Sequence, residues 1–506
     1  MLGLLTVVRQ PLTAGEIQEI GVSRDGPQTS GEIRRAAERL VHDRFWAESF
    51  EDPATCEERY QLVELARPFL EDKISGPWKT ELHRRAYTWY RHEYPAAGID
   101  SSKLPDLAVM RSYDELAHQA FELAELTGGH EREEAAMTGS RVAVEGKNWH
   151  ILRDENRLLL AQLERARRLL GGLSSREAKV LSATCLLYSS DLYVWRARLD
   201  EAEKRYAKAL SLFREIEDRL GEAKTLRSWG ALHMRADHLA EAERRYEEAL
   251  PLFREIKNRR GEANTLISLG DLYARTDRRA GAEKQYQEAL RIFREIKEPL
   301  GEADTLKSLG DLYERTDQLS KAEKQYEEAL SRYRTIGTRL GEANTLRSLG
   351  DLYVRMVRFA DAKKIYREAL RLFQRIEDRV DEANTLRSLG DLYYQTASPA
   401  EAKKSYEEAL LLYRAIRSRL GEANTLGSLG DLYDGMDDFK EAKKSYEEAL
   451  LLYRKIESRI GEASTLRSLG DLYVRMKRFA EAEKPFEEAL SFFRRDKDRL
   501  GEANTL

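Results

Sequence analysis

The amino-acid sequence predicts an all-α protein, a solenoid of tandem helical hairpins that follows a small, mostly helical N-terminal domain. Residues 221–506 repeat every 40 residues without insertion or deletion, and the phrase Gly-Glu-Ala-Asn-Thr-Leu begins at Gly261, Gly341 and Gly421. Each period holds two stretches with apolar residues at three- and four-residue spacing, which is typical of amphipathic helices. A fixed period of this size indicates stacked units, because one unit is too small to bury a core alone.

In the repeat at residues 258–297, the first helix is predicted to begin near residue 259. Asn258 is a good N-cap residue, and the same position elsewhere holds mostly capping types, namely Asp218, Glu298, Thr338, Asp378, Ser418, Ser458 and Asp498. Apolar side chains follow at helical spacing at Ala263, Leu266, Leu269, Leu272 and Tyr273. Gly270 has no side chain and is expected where another helix approaches closely.

Polar residues near 276–279 predict a turn before the second helix. In a later repeat, Ser398 is expected to cap this helix, with Pro399 at its first position. The second helix has an apolar stripe formed by Ala282, Tyr286, Ala289, Leu290, Phe293 and Ile296. Each repeat is therefore predicted to be an antiparallel hairpin. Pro251 and Pro485 lie inside second helices, which they are expected to kink.

The recurrent residues resemble a known repeat family. The pattern Leu266-x-x-Leu269-Gly270-x-x-Tyr273, followed by Ala282-x-x-x-Tyr286 and Ala289, is similar to the tetratricopeptide repeat. That repeat usually has about 34 residues, so we expect a lengthened second helix, as in the repeats of kinesin light chains. The resemblance covers about residues 181–506, or about eight repeats, of which the last is truncated. It implies a right-handed superhelix whose first helices line a concave groove.

Four polar positions recur on the first helices, and the resemblance places them in this groove. The first holds Asn264, Asn344, Asn384 and Asn424. The second holds Lys307, Arg347, Arg387 and Arg467, and the third Asp271, Asp311, Asp351, Asp391, Asp431 and Asp471. The fourth includes Arg275, Arg315, Arg355 and Arg475. We expect these side chains to bind a protein or peptide partner.

Two interpretations of these positions stay open. The second, third and fourth are four residues apart, so their charges could form a self-paired surface ladder or grip an extended peptide. The asparagine amides could pair with a peptide backbone or with the neighbouring helix. A further position varies freely between repeats and is a candidate for reading the partner's sequence, with Met234, Ala274, Glu314, Val354, Tyr394, Asp434 and Val474.

The segment before the repeats is divided into residues 1–95 and a helical linker at 96–180. Helices are predicted near 1–9, 13–21, 30–45, 78–94, 112–126 and 154–170, with a strand over Arg59–Glu64. The run Leu2–Thr13, Arg59-Tyr60 and Leu82-His83-Arg84 resembles the winged-helix segment of signal-transducing ATPases with numerous domains. This resemblance implies that the partner could trigger such an ATPase.

The composition limits the chemistry and the partners. Of 506 residues, 42% are hydrophobic and 34% charged, and the net charge of -4 argues against nucleic acid or an anionic membrane as a partner. The two cysteines, Cys56 and Cys185, fit a reducing, cytoplasmic compartment without disulfides. Cys185 is expected to be a buried structural thiol, and a metal site at His130 and His150 is less favoured than solvated histidines.

The sequence predicts a binding protein rather than an enzyme. It has no phosphate-binding motif of the form G-x-x-x-x-G-K-[ST] and no hydrolase or metalloprotease motif, so no cofactor is expected. Because Leu506 ends the chain partway through a first helix, we expect either a fragment of a longer protein or an end that pairs with another molecule. Self-association through this end, as a structural or assembly protein, is the alternative function.

Overall fold

The computed structural model describes residues 47–51, 58–62, 76–93, 107–145, 147, 156–495, 501–502 and 505. The chain divides into two compact units, an N-terminal unit (Met1–Thr265) and a C-terminal unit (Leu266–Leu506). Each unit is built mainly of helices that pack against their neighbours in sequence.

The first part of the N-terminal unit combines a strand pair with four helices. Strands β1 (Ala47–Glu51) and β2 (Glu58–Leu62) are antiparallel, with Ser49 opposite Tyr60. The helices are α1 (Gly76–Glu93), α2 (Leu107–Leu126), α3 (Gly129–Glu145) and α4 (Asn156–Leu170). The strand predicted over 59–64 and the helices predicted near 78–94, 112–126 and 154–170 are confirmed, whereas β1 was not predicted. The helices predicted near 1–9, 13–21 and 30–45 lie outside the described residues.

Sixteen further helices form eight consecutive hairpins among the described residues. They are α5 (Arg176–Trp195), α6 (Leu199–Glu215), α7 (Arg219–Arg235), α8 (Leu239–Glu255), α9 (Arg259–Arg275), α10 (Arg279–Glu295), α11 (Pro299–Arg315), α12 (Leu319–Ile336), α13 (Arg339–Arg355), α14 (Phe359–Arg375), α15 (Arg379–Gln395), α16 (Pro399–Ala415), α17 (Arg419–Gly435), α18 (Phe439–Lys455), α19 (Arg459–Arg475) and α20 (Phe479–Arg495). The predicted all-α solenoid is confirmed.

In six of the eight described hairpins the two helices are equally long, so the expected lengthening of the second helix alone is wrong. In the repeat of α13 and α14, each helix has 17 residues. The period of 40 residues therefore comes from two equal helices and two equally short connections. Sequence periodicity locates an apolar stripe but does not fix where a helix ends.

Each helix from α5 to α19 ends in a left-handed residue that turns the chain back. Glu217 has a φ of 58°, and the N–H groups of Glu217 and Asp218 donate to the carbonyls of Arg214 and Phe213. This is the Schellman arrangement, which usually favours glycine because a side chain strains the left-handed conformation. Here glycine occupies the position only once, at Gly337, with a φ of 78°.

The predicted apolar stripes form the core. Ala263, Leu266, Leu269 and Leu272 on α9 are buried, as are Ala282, Tyr286, Ala289, Leu290 and Phe293 on α10. A Cβ atom at Gly270 would lie 2.5 Å from Cε1 of Tyr286, so only glycine lets the first and second helices approach this closely. The close approach predicted from the sequence is confirmed.

The expected helix starts are met with different capping groups. Asn258 caps α9, since its Oδ1 accepts from the N–H of Gly261 at 2.7 Å. Ser398 is the N-cap residue of α16 and Pro399 its first residue, as predicted, but the Ser398 side chain makes no capping bond. Its Oγ donates instead to the carbonyl of Thr396 at 3.4 Å. Helices α8 and α20 continue through Pro251 and Pro485, and the expected kinks stay a prediction.

Within the C-terminal unit, first helices of consecutive repeats contact each other more closely than second helices do. The contacts join α11 to α13, α13 to α15, α15 to α17 and α17 to α19. An array packed in this way has its first helices on the inner side of its curve. The first-helix face is therefore where the sequence places the candidate binding residues.

Candidate functional site

The aspartates of the third position bond to the second helix of their own repeat. In five consecutive repeats a tyrosine hydroxyl donates to an aspartate Oδ1, at 2.5–2.7 Å: Tyr286 to Asp271, Tyr326 to Asp311, Tyr366 to Asp351, Tyr406 to Asp391 and Tyr446 to Asp431. In the last repeat the tyrosine is replaced by Phe486, and Asp471 pairs with Arg467 at 3.7 Å. This bond accounts for the recurrence of the aspartates without a ligand.

Burial favours the protonated form of four aspartates at this position. Desolvation raises the pKa of Asp271 to about 6, and the Tyr286 hydroxyl, which stabilises the carboxylate, offsets only part of this effect. Desolvation also raises the pKa of Asp351, Asp431 and Asp471. These four carboxyl groups therefore ionise less readily than free aspartate.

The first position bonds to the second helix wherever that helix offers a hydroxyl. Asn384 Oδ1 accepts from Tyr413 and Asn424 Oδ1 from Tyr453, both at 2.6 Å. Asp304 takes the same role with Tyr333. At Asn344 the matching residue is Phe373, which has no hydroxyl. Among the described residues, Asn344 has no side-chain hydrogen-bond partner.

The basic residues of the second position are only partly self-paired. Lys307 lies 2.9 Å from Asp311 and Arg387 lies 3.2 Å from Asp391, as the ladder interpretation expects. Arg347 departs from this pattern, because its Nη2 lies 3.9 Å from Asp381 in the next repeat. Its Nε is buried and, within the described part of the chain, has no hydrogen-bond partner.

The arginines of the fourth position join consecutive first helices. Arg315 donates to the carbonyl of Ala274 at 3.0 Å, and Arg475 donates to the carbonyl of Asp434 at 2.7 Å. Arg355 reaches the carbonyl of Glu314 in the same way. A cation at the C-terminal end of a helix is favoured by the helix dipole. Internal bonds thus account for this position, and a binding role for it stays a prediction.

The variable position serves two purposes. Glu314 accepts from Tyr326 at 2.9 Å and lies 3.6 Å from Arg355, while Asp434 pairs with Arg475 at 2.5 Å. Tyr394 and Val474 instead remain 44% and 41% exposed. The acidic members therefore link repeats, whereas the side chains of Tyr394 and Val474 remain exposed.

Two polar side chains of the first-helix face that make no hydrogen bond to another described residue lie on α13, and an exposed aromatic ring lies on α15. Asn344 and Arg347 lie one turn apart on α13, with partly exposed Val354 further along. The exposed ring of Tyr394 lies on α15. This area, which we call the α13–α15 surface, offers an amide and a guanidinium in the first half of α13 and apolar side chains near the ends of α13 and α15.

The described residues show no alternative chemical centre. They contain no group of three or more potential metal ligands, and none of their helices combines the length and hydrophobicity that crossing a bilayer requires. Cys185 is buried and unpaired, as predicted. Burial raises the pKa of its thiol to about 12, which suits a structural role. His130 is exposed, and His150 lies outside the described residues.

A family model decides the classification of the repeats. The model of the tetratricopeptide repeat matches more than half of the chain, at residues 181–255, 223–295, 261–335, 341–415, 381–455 and 421–495. The chain belongs to the tetratricopeptide repeat family. The resemblance stated from Leu266, Gly270 and Tyr286 is thereby confirmed. No curated protein sequence matches this chain.

Solved structures that are similar to this chain include one with a TM-score above 0.5. A signal transduction ATPase with numerous domains from Pyrococcus horikoshii, which has a tetratricopeptide repeat sensor, is 14% identical with a TM-score of 0.52. The match covers 99% of this chain and 64% of that protein. BtubC (BKLC) from P. vanneervenii is 22% identical over 44% of this chain and 91% of its own, with a TM-score of 0.39. The quorum sensor NprR from B. thuringiensis is 16% identical, over 72% and 99%, with a TM-score of 0.48.

Proposed function

We propose that this protein is a non-catalytic binding arm that holds an extended peptide segment of a partner on the first-helix face of its C-terminal unit. The observation that carries the proposal is the break in the internal bonding pattern at α13. Asn384 and Asn424 bond to second-helix tyrosines, and Lys307 and Arg387 pair with aspartates. In contrast, Asn344 makes no side-chain hydrogen bond to a described residue, and Arg347 makes only an ion pair at 3.9 Å to Asp381. These two side chains are the centre of the proposed site.

The chemistry of the α13–α15 surface suits an extended chain. An asparagine amide donates and accepts, so it matches the N–H and C=O groups of a peptide backbone. The Arg347 guanidinium suits a carbonyl or carboxylate of the same peptide. Tyr394, which is 44% exposed, gives an apolar surface for a side chain. A hydrogen bond from the charged Arg347 guanidinium to the peptide would contribute about 1.5–3 kcal/mol to binding.

Peptide display against the full chain tests the proposal. Peptides are selected from a random library, and their dissociation constants are measured for wild type, Asn344→Ala and Arg347→Ala. We expect each substitution to weaken binding about tenfold, because each removes a donor that the fold does not use. Arg371→Ala is the matched control, since Arg371 is exposed on the second helix α14.

Two results would contradict the proposal. If no peptide from the library binds, the first-helix face is not a peptide-binding groove. Peptides that bind equally well to wild type, Asn344→Ala and Arg347→Ala but lose affinity with Arg371→Ala would move the site to the outer face.

A further part of the proposal is that the arm acts as the sensor of a signalling ATPase. It is supported by the fold likeness to the P. horikoshii protein and by the weak N-terminal resemblance stated from the sequence. An ATPase domain encoded next to this chain should change its hydrolysis rate when the chain and a selected peptide are added together. An unchanged rate would remove the sensor role while leaving peptide binding intact.

The alternative of a self-assembling protein makes a different expectation. Self-association through the C-terminal end would raise the mass measured by light scattering as the concentration increases. A constant monomer mass at high concentration would contradict assembly and agree with a binding arm.

A further inference from the structure

Position 208 reverses a charge that every later repeat keeps. The equivalent residue is glutamate seven times, namely Glu248, Glu288, Glu328, Glu368, Glu408, Glu448 and Glu488, whereas the first hairpin has Lys208. In five of the later repeats this glutamate lies within 4.0 Å of an arginine of the preceding second helix. Arg294 lies 2.6 Å from Glu328 and Arg334 lies 2.6 Å from Glu368. The first hairpin thus lacks the anionic member of a recurrent ion pair.

A small cavity opens where this anion is lacking. It lies in the N-terminal unit on the second-helix side, has a volume of about 200 Å³, and is lined by Arg167, Leu186, Glu201, Lys204, Arg205 and Lys208. Arg167 belongs to α4, which packs against α5 ahead of the first hairpin. Four of the six lining side chains are cationic and one is anionic, so the cavity has an excess of positive charge.

Neighbouring carboxylates neutralise only part of this charge. Glu201 is bound to Arg198 at 2.7 Å. Glu164 is shared, because it lies 2.5 Å from Arg205 and 3.5 Å from the Nε of Arg167. That Nε is buried and has no hydrogen-bond partner in the described structure.

The two lysines add charge that no carboxylate holds. Lys204 and Lys208 are both exposed on the same face of α6, one turn apart. Neither forms an ion pair with a described residue. Four cations around one small cavity repel each other, so an anion that fills the cavity is stabilised by all of them.

We propose that this cavity binds a phosphate monoester, presented by a small molecule or by a phosphorylated side chain. Guanidinium groups match the oxygens of a phosphate in geometry, and lysine ammonium groups add point charges. The volume is below the about 300–1,000 Å³ of ordinary ligand pockets, which favours a compact anion over a large ligand. The double negative charge of a phosphate monoester matches the excess of cations. This site is separate from the α13–α15 surface and does not depend on the peptide-binding proposal.

Calorimetric titration of the full chain tests the site. The probes are inorganic phosphate, O-phosphoserine, a phosphoserine hexapeptide and its unphosphorylated form, all at constant ionic strength. We expect saturable binding of the phosphorylated probes, at least tenfold weakened by Lys208→Glu. This substitution installs the residue that all later repeats have. Lys404→Glu is the matched control, because Lys404 has the position of Lys204 in a later repeat and its side chain is 78% exposed.

The results distinguish a phosphorylated side chain from a small phosphorylated molecule, and they also show whether the proposed site is wrong. Tighter binding of the phosphorylated hexapeptide than of inorganic phosphate supports a phosphorylated side chain, and equal binding supports a small molecule. Equal affinities in wild type and Lys208→Glu, or an equal loss with Lys404→Glu, would overturn the site. If circular dichroism shows that Lys208→Glu does not fold, Arg167→Gln replaces it with the same expectation.

Discussion

At the scale of single residues, tyrosine hydroxyls on second helices hold the aspartates of the first helices. The bond recurs in five consecutive repeats of the C-terminal unit, from Tyr286 and Asp271 to Tyr446 and Asp431. It fixes the register between the two helices of a hairpin. The main role of these aspartates is therefore structural, and only their exposed edges are available to a partner.

Removal of one hydroxyl should destabilise the array. Tyr366→Phe leaves the ring in its buried site and removes the donor to Asp351, so we expect a loss of about 1–2 kcal/mol in the free energy of unfolding. Chemical denaturation measures it. Phe486→Tyr is the reciprocal variant, since it offers Asp471 the bond that the last repeat lacks. A more stable Tyr366→Phe protein would contradict this role.

The raised pKa of Asp271 makes stability depend on pH in a defined direction. Its pKa rises from 3.8 to about 6 on folding, so the folded state holds the proton more tightly than the unfolded chain. The contribution of Asp271 to the free energy of unfolding is therefore lost as the pH rises from about 4 towards 6. Asp271→Asn keeps an acceptor for Tyr286 and removes the titration. We expect its melting temperature to fall less between pH 4 and pH 7 than that of wild type; an equal fall would contradict the assignment.

Sequence patterns located these side chains but not their partners. The recurrent asparagine, aspartate and arginine positions were predicted to line a groove. The tyrosines of the second helices were predicted only to be part of the core. The signal was present in the repeats themselves. Asn384 and Asn424 occur where the second helix has Tyr413 and Tyr453, whereas Asn344 occurs where it has Phe373. A single helical stripe does not show which residue of a neighbouring helix a side chain meets, so these bonds required the structure.

At the scale of elements, the connections are more uniform than their sequences. Fourteen non-glycine residues adopt the left-handed conformation that ends a helix, and they include alanine, valine, lysine, arginine, aspartate and glutamate. The turns were expected from polar residues, but this conformation was not, because the usual glycine signal is missing. Packing of the flanking helices imposes the turn against local preference.

Glycine should relieve the strain of such a turn. Arg417 has a φ of 57° and is exposed, so Arg417→Gly should raise the free energy of unfolding by about 1 kcal/mol. Gly337→Arg, at the one repeat that already has glycine, should lower it by a similar amount. Thermal unfolding of both variants measures the effect. Opposite signs would show that the left-handed residues are held without strain.

Proline inside a second helix should weaken its repeat. Pro251 is exposed on α8 and donates no N–H to the preceding turn. Pro251→Arg introduces the residue found at Arg291 and Arg371 in other repeats. We expect a gain of up to about 3 kcal/mol in stability by chemical denaturation. Ser331→Pro, at the same position of a later repeat, is the reverse test and should lose stability; a neutral result for both would contradict the expected cost.

At the scale of the whole molecule, a residue that differs from the one at the same position in the other repeats points to a candidate site. The tetratricopeptide fold and most helices were predicted correctly because each repeat restates the same pattern. The two candidate sites instead depend on exceptions, namely an asparagine without a hydrogen-bond partner among the described residues at Asn344 and a lysine among glutamates at Lys208. In the sequence, Asn344 is one of four recurrent asparagines, and Lys208 belongs to no recognisable motif. Only the packing showed that both leave polar groups without internal partners.

Hydrogen–deuterium exchange of the full chain, with and without a peptide selected by display, tests the central claim most directly. We expect the peptide to slow exchange in the first helices α13 and α15, while the second helices α14 and α16 exchange as before. Protection confined to the second helices, or no local protection at saturating peptide, would contradict a binding groove formed by the first helices.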